Sequence, residues 1–237
     1  MSKAALVTGG GKRLGKAISI RLAERGYDIA IHYNHSDKDA EDTAELIRSK
    51  GRKAQAFQAN LSEMNQVRNL VPSVVEVFPE CCILVNSASI FEDIAFSDVT
   101  EEIFDRDFNT NFKAPFFLSQ DFSKQNSSEL IINMLDMRIN KVETNHFPYN
   151  LTKKALRDFT MMAAKELGPK IRVNGICPGP ILPPPDKGIE YLEKIAENTP
   201  LQKPGNPDYI VSAVEYILDN PFVTGQCLFV DGGQHLV

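Results

Sequence analysis

The sequence predicts a doubly wound parallel α/β sheet of about seven strands, flanked by helices on both faces, in one domain spanning 1–237. Three observations predict it. Seven short apolar runs of strand length recur along the chain, amphipathic stretches of helical length separate most of them, and a glycine-rich turn at 8–15 follows the first run directly. Buried strands that alternate with helices imply right-handed crossovers and a parallel sheet covered on both faces.

Taken in order, the runs are "AALVT" (4–8), "DIAIHY" (28–33), "KAQAFQA" (53–59), "CCILVN" (81–86), "LIINML" (130–135), "KIRVNGI" (170–176) and "QCLFVDG" (226–232). Helices are expected at 14–25, 38–50, 63–78, 101–125, 149–167 and 207–219. In the first of these, Leu14, Ile18, Leu22 and Ala23 share one helical face, with Lys16, Arg21 and Glu24 elsewhere. The exception to the rhythm is 178–206, a proline-rich insertion between the sixth strand and the last helix. Ligands of open α/β sheets bind at the carboxyl ends of the strands, so this insertion is placed to cover the crevice. Pro183, Pro184 and Pro185 favour a stiff, extended lid entrance.

Composition narrows the function. The chain is 43% hydrophobic and 24% charged, as expected of a soluble globular protein. Its net charge of −5 argues against a nucleic-acid partner. No run approaches 18 apolar residues, and no charged-then-apolar leader precedes the first strand. A cytoplasmic protein without a membrane partner is therefore expected. Cys81, Cys82, Cys177 and Cys227 form no CxxC and fall in or beside apolar runs. They read as reduced thiols, with no metal site.

The turn "TGGGKRLG" carries the first chemistry. Gly9, Gly11 (or Gly10) and Gly15 allow a tight turn, close backbone approach and close helix packing. The amides at the helix start, around Lys12, Arg13 and Leu14, can then hold a pyrophosphate. An acid that selects an unphosphorylated ribose is expected about 20 residues further on. There the chain reads "IHYNHSD", with Asp37 arriving late. Lys12, Arg13, His35 and Ser36 offer donors and positive charge suited to a 2′-phosphate, which favours NADP(H).

The second chemistry lies in "IINMLDMRINKVETNHFPYNLTKKAL". Tyr149 and Lys153 are four residues apart and share a helical face. A free tyrosine titrates near 10, so proton exchange at neutral pH calls for a nearby cation. Asp136 stands thirteen residues before the tyrosine, at the end of an apolar strand. Its carboxyl can hydrogen-bond donors on a ligand, or it can cap a loop or pair with Arg138.

The glycine turn, "LVNSAS" at 84–89, Asn111 in "FNTNFKAPFF", the Tyr149/Lys153 pair, "NGICPGP" and the terminal "VTGQCLFVDGG" together resemble the short-chain dehydrogenase/reductase family over essentially the whole chain. The resemblance implies a Rossmann-type fold and a catalytic set in which Tyr149 donates the proton. Lys153 would bind the nicotinamide ribose and lower the tyrosine's pKa, and Asn111 would organise a proton-relay water. It also assigns Asn60, Leu61, Asn86, Ala88, Ser89, Pro178 and Gly179 to the cofactor, and implies a homotetramer. In that assembly the helices at 101–125 and 149–167 and the last strand form the interfaces, with Phe159, Met162, Ala163 and Leu167 as surplus apolar surface on the second helix.

The family usually has serine where this chain has Asp136. That aspartate, the arginine in "GKRLG", "HYNHS" and "NSASIF" are similar to the pteridine reductases, and among them to the bacterial dihydromonapterin reductases. This implies a dihydropterin substrate (monapterin, biopterin or folate type) bound by Arg13, Ser89, Phe91, Asp136 and Tyr149, with Phe91 stacked on the ring. Asp136 would anchor the ring or supply a second proton. Departures from the family include Asn60 where aspartate is common, Ser87 for a second asparagine, and no hydroxyl after "PGP" until Thr199. Two other functions stay open: a reductase of a carbonyl substrate such as 3-oxoacyl-carrier protein, and a catalytically silent NADP-binding regulator.

Overall fold

Alternation within continuously apolar strands builds the two faces of the sheet. In β1 (Ala4–Val7), Ala5 and Val7 point into one core with Ile18, Leu22, Ala44, Ile47 and Val214, while Ala4 and Leu6 point into the other with Val67, Leu70, Leu118 and Phe122. The computed structural model describes residues 2–184 and 187–237. It contains one seven-stranded parallel sheet in the order β3-β2-β1-β4-β5-β6-β7. The other strands are β2 (Asp28–Tyr33), β3 (Ala54–Gln58), β4 (Cys81–Asn86), β5 (Leu130–Met134), β6 (Arg172–Pro178) and β7 (Cys227–Val230). The order reverses direction between β1 and β4, which places the ligand crevice at their carboxyl ends.

Helices α1 (Arg13–Glu24), α2 (Asp37–Ser49) and α8 (Pro207–Asp219) cover the first face. Helices α3 (Met64–Val77), α5 (Ala114–Ser123) and α6 (Phe147–Leu167) cover the second. Helix α4 (Glu101–Phe108) and helix α7 (Ile189–Ala196), within the 178–206 insertion, complete the set among the described residues. Among the described residues, no helix is long and apolar enough to cross a membrane. Cys81, Cys82 and Cys177 are buried free thiols and Cys227 is half-buried.

The structure departs from expectation in three places. The helix expected over 101–125 is broken by a π-helical turn, Asn109–Lys113, between α4 and α5. Pro115 has no amide to donate to the carbonyl of Asn111, so the regular ladder fails there. Strand β6 starts two residues later than expected because the amide of Ile171 still bonds to the Leu167 carbonyl at the end of α6. The 178–206 insertion contains a helix the proline count concealed: "IEYLEKIA" buries Leu192 and Ala196 on one side. Of the triple proline, Pro183 and Pro184 lie outside any helix or strand and Pro185 lies outside the described residues.

Candidate functional site

The glycine turn is held from three sides. Gly9 adopts φ +63°, a conformation that favours glycine, and a Cβ there would sit 3.1 Å from Ala88 Cα. A Cβ on Gly15 would fall 2.1 Å from the Gly9 carbonyl oxygen, so only glycine lets α1 pack this close. Gly11 instead abuts Ala40 of α2. The Thr8 hydroxyl oxygen accepts from the amides of Ser87 (2.9 Å) and Ala88 (3.0 Å), tying the turn to the end of β4.

His32 completes the turn, a role the sequence reading missed. Its Nδ1 accepts the Gly9 amide at 3.1 Å and its Nε2 donates to the Ala59 carbonyl at 2.9 Å. The buried ring thus joins the turn to the end of β3, beside Asn60 and Leu61. Burial pushes its pKa down to about 4, so it is neutral and able to accept. A polar residue at the penultimate position of an apolar strand was the available signal.

With the Gly9 and Gly10 amides spent on His32, the amides of the first turn of α1 have no acceptor within the helix. They form a cradle that fits a pyrophosphate. At the end of β2, Lys12 pairs with Asp39 (2.9 Å) in an exposed, exchangeable contact near exposed His35 and half-buried Ser36. The buried Oδ1 of Asn34 has no partner among the described residues. These groups suit a phosphorylated ribose.

Two side chains near the crevice are engaged elsewhere. The Asn86 side chain turns inward: its Nδ2 donates to Asn133 Oδ1 (2.8 Å) and to the Ser119 hydroxyl (3.3 Å) within a buried network. Its Oδ1 is buried and has no partner among the described residues. Thr199, the one hydroxyl offered after "PGP", is buried and donates to the Ala196 carbonyl at the end of α7. Asn60 forms a turn with Ser62 through its Oδ1, and Leu61 is buried beneath it. At the end of β6, Pro178 is half-buried and Gly179 bonds to Val230, leaving no room for a Cβ against Asp231.

On the other side of the crevice, the Tyr149 hydroxyl donates to Asp136 Oδ2 at 2.7 Å. Asp136 also caps a short turn through the Arg138 amide (2.8 Å) and pairs with its guanidinium (3.2 and 3.3 Å). Capping and pairing with Arg138 thus coexist with the tyrosine contact. Lys153 donates to the Met134 carbonyl at 2.7 Å and lies 5.6 Å above the centre of the Tyr149 ring.

The electrostatics differ from the expectation that the lysine lowers the tyrosine's pKa. Burial and the adjacent Asp136 carboxylate push the Tyr149 phenol well above 10. Burial lowers Lys153 to about 8. The arrangement keeps the phenol protonated, ready to act as an acid.

Asn111 sits in the π-helical turn, fully buried. Its Oδ1 accepts from the Ile90 amide (2.8 Å) and the Ser89 hydroxyl (3.1 Å), and its Nδ2 donates to the Ile90 carbonyl (2.9 Å). The side chain clamps the 89–90 loop and is not free to hold a relay water. Pro115 leaves the Asn111 main-chain carbonyl without the i+4 amide of a regular helix.

The clamped loop delivers Phe91. Its ring is 47% exposed, which excludes a core role, and meets Tyr149 edge-on at 4.7 Å. It stacks on His146 at 4.1 Å. His146, at φ +49° before α6, was also missed; nothing in its sequence neighbourhood separates it from a loop histidine. Arg13, with φ +51°, sends its guanidinium to the carbonyls of Leu182 (3.3 Å) and Pro183 (2.8 Å). It ties the lid entrance to the glycine turn. Tyr149, Asp136, Lys153, Asn111, Ser89 and Phe91 therefore converge, while Arg13 joins through the lid.

Comparison with known proteins agrees. A family model described as enoyl-(acyl carrier protein) reductase matches residues 11–235. The 3-oxoacyl-[acyl-carrier-protein] reductase FabG of Staphylococcus epidermidis is 31% identical over 244 residues, covering 100% of both chains. A FolM alternative dihydrofolate reductase 1 from Brucella canis, solved with NADP, superposes with a TM-score of 0.92 at 36% identity, over 99% of this chain and 95% of that one. A short-chain dehydrogenase from Burkholderia cenocepacia with NADP gives 0.91 at 31% identity, over 98% and 97%. The chain belongs to the short-chain dehydrogenase/reductase family of nicotinamide-dependent oxidoreductases.

Proposed function

We propose that this protein is an NADPH-dependent reductase of a dihydropterin, of the monapterin, biopterin or folate type. The observation that carries the reading is the 2.7 Å hydrogen bond from Tyr149 to Asp136, beside the exposed ring of Phe91. The Brucella dihydrofolate reductases and their NADP support it from outside the chain.

The first turn of α1 would hold the pyrophosphate, with Lys12, His35 and Ser36 at the 2′-phosphate and Lys153 at the nicotinamide ribose. When bound, NADPH supplies the hydride that reduces one C=N bond of the ring, and the protein supplies the proton. Asp136 has its lone pairs filled by Arg138 and Tyr149. An N–H of the pterin edge would take the place of the phenol at Oδ2 and free Tyr149 to turn its proton toward the ring. The Lys153 ammonium would stabilise the phenolate left behind. Phe91 offers an aromatic face to the flat heterocycle.

The competing reading, a 3-oxoacyl-carrier-protein reductase, is favoured by the full-length match to FabG. Against it, Asp136 would set a carboxylate beside a developing alkoxide, which opposes carbonyl reduction. A homotetramer is part of the proposal. Met161 and Met162 of α6 and Phe104 of α4 are exposed at 45%, 70% and 40%, and β7 is an unpaired sheet edge. Phe159, Ala163 and Leu167, expected on that surface, pack inward instead.

The test is NADPH oxidation with dihydromonapterin, dihydrobiopterin, dihydrofolate and an acetoacetyl thioester, in wild type and Asp136→Ser. Pterin turnover that falls at least about 100-fold in the variant supports the reading. Thioester turnover indifferent to the substitution overturns it, and NADPH binding without any turnover points to the silent regulator.

A further inference from the structure

Beyond the turn capped by Asp136 lies a second cleft, of about 810 Å³. It is lined by Lys141, Lys187 and Lys194, with Tyr191, Asn198 and Gln234 between them. Ile195 and Val237, with its terminal carboxylate, complete the lining; among the described residues, no aspartate or glutamate side chain lines it and none of the three ammonium groups is in an ion pair. Lys187 rests over the Tyr191 ring at 4.3 Å. Three lysines around one cavity, none in an ion pair among the described residues, stand out in a chain whose net charge is −5. Three ammonium groups against one terminal carboxylate leave the cleft with an excess of positive charge, which a bound anion would offset.

The cleft's place in the fold suggests what that anion is attached to. Lys141 follows the short turn Met137–Asn140 whose first residue is capped by Asp136. Lys187 lies a few residues beyond Leu182 and Pro183, whose carbonyls Arg13 holds, and Lys194 is on α7. Lys141 stands at the far end of the turn that Asp136 caps, so a substituent on a ring at Asp136 would meet the cleft if it ran along this turn.

We infer that Lys141, Lys187 and Lys194 form a subsite for a polyanionic tail carried by the substrate, several carboxylates of a glutamyl chain or the phosphates of a phosphorylated side chain. The inference rests on the pterin reading above and deepens it. A carrier protein would bring its acids to a convex face; lysines around a cavity suit a flexible tail.

The experiment compares wild type with Lys141→Gln/Lys187→Gln/Lys194→Gln, at low and high salt. Substrates are dihydrobiopterin, dihydrofolate, dihydropteroyl triglutamate and a dihydropterin triphosphate, with acetoacetyl-carrier protein as the macromolecular arm. The expected result is a KM that falls as the tail gains charge and rises about tenfold in the variant for the most charged tail. kcat and the KM for dihydrobiopterin should stay within about twofold, and salt should erase the advantage. Preference for glutamates or for phosphates identifies the source. Equal KM for all tails, an equal loss for dihydrobiopterin, or a lysine effect confined to the carrier protein overturns the inference. Direct binding of pteroyl triglutamate separates the two readings: lysine-dependent binding without turnover leaves the subsite standing and removes the reaction, whereas turnover without lysine dependence does the reverse.

Discussion

The two banks of the crevice are built differently. The bank at the ends of β1, β2 and β3 is made of main chain: Gly9, Gly15 and the α1 amides, locked by His32 and Thr8. The bank at β5 and β6 is made of side chains drawn from residues 91, 111, 136, 149 and 153, with the lid held across by Arg13. Main-chain groups can hold a phosphate whatever the side chains are. Side chains decide which ring is protonated. The first bank therefore depends little on side-chain identity, whereas the second depends on which side chains face one another.

The comparison breaks most visibly at Tyr149. Tyr149→Phe should cut turnover about 10³-fold while the NADPH dissociation constant stays within about twofold, measured by steady-state kinetics and fluorescence titration. If cofactor affinity falls in parallel, the banks are not separable.

His32 tests the first bank through pH. The native ring titrates at about 4, against 6.5 in the unfolded chain. Between those values the unfolded chain binds the extra proton, so stability falls as pH drops from 6.5 to 4, by up to about 3 kcal/mol. In His32→Gln that component should vanish from unfolding midpoints measured across the window. An unchanged acid slope would mean that other groups govern it.

Arg13 joins the banks and gives the smallest effect. Arg13→Gly removes a left-handed strain of about 1 kcal/mol and also the lid contact. The melting temperature should hold or rise while the pterin KM increases a few-fold. A KM that does not move would leave the lid independent of the glycine turn.

Strand and helix positions were legible because burial on two faces forces apolar runs and amphipathic periods onto the chain, and β2, β4 and α8 fall where those patterns place them. The glycine turn was legible because steric exclusion at Gly9 and Gly15 admits one residue type. Tyr149, Lys153 and Asp136 were legible as a spacing and a departure from serine. Their protonation states were not, since these depend on who faces whom: burial and Asp136 raise Tyr149, against the expected direction.

What only the tertiary structure decided follows from the same cause. His32, His146 and the lysines at 141, 187 and 194 are ordinary in sequence, and acquire roles through partners many residues away. The Asn86 Nδ2 and the Thr199 hydroxyl are spent on contacts inside the fold that their sequence positions did not announce. The sequence by itself determined the sheet, the turn and the family, because these rest on local sterics and periodic burial. Folding decided the charge and reach of each site residue, because hydrogen bonding and desolvation are set by neighbours that the chain order does not reveal.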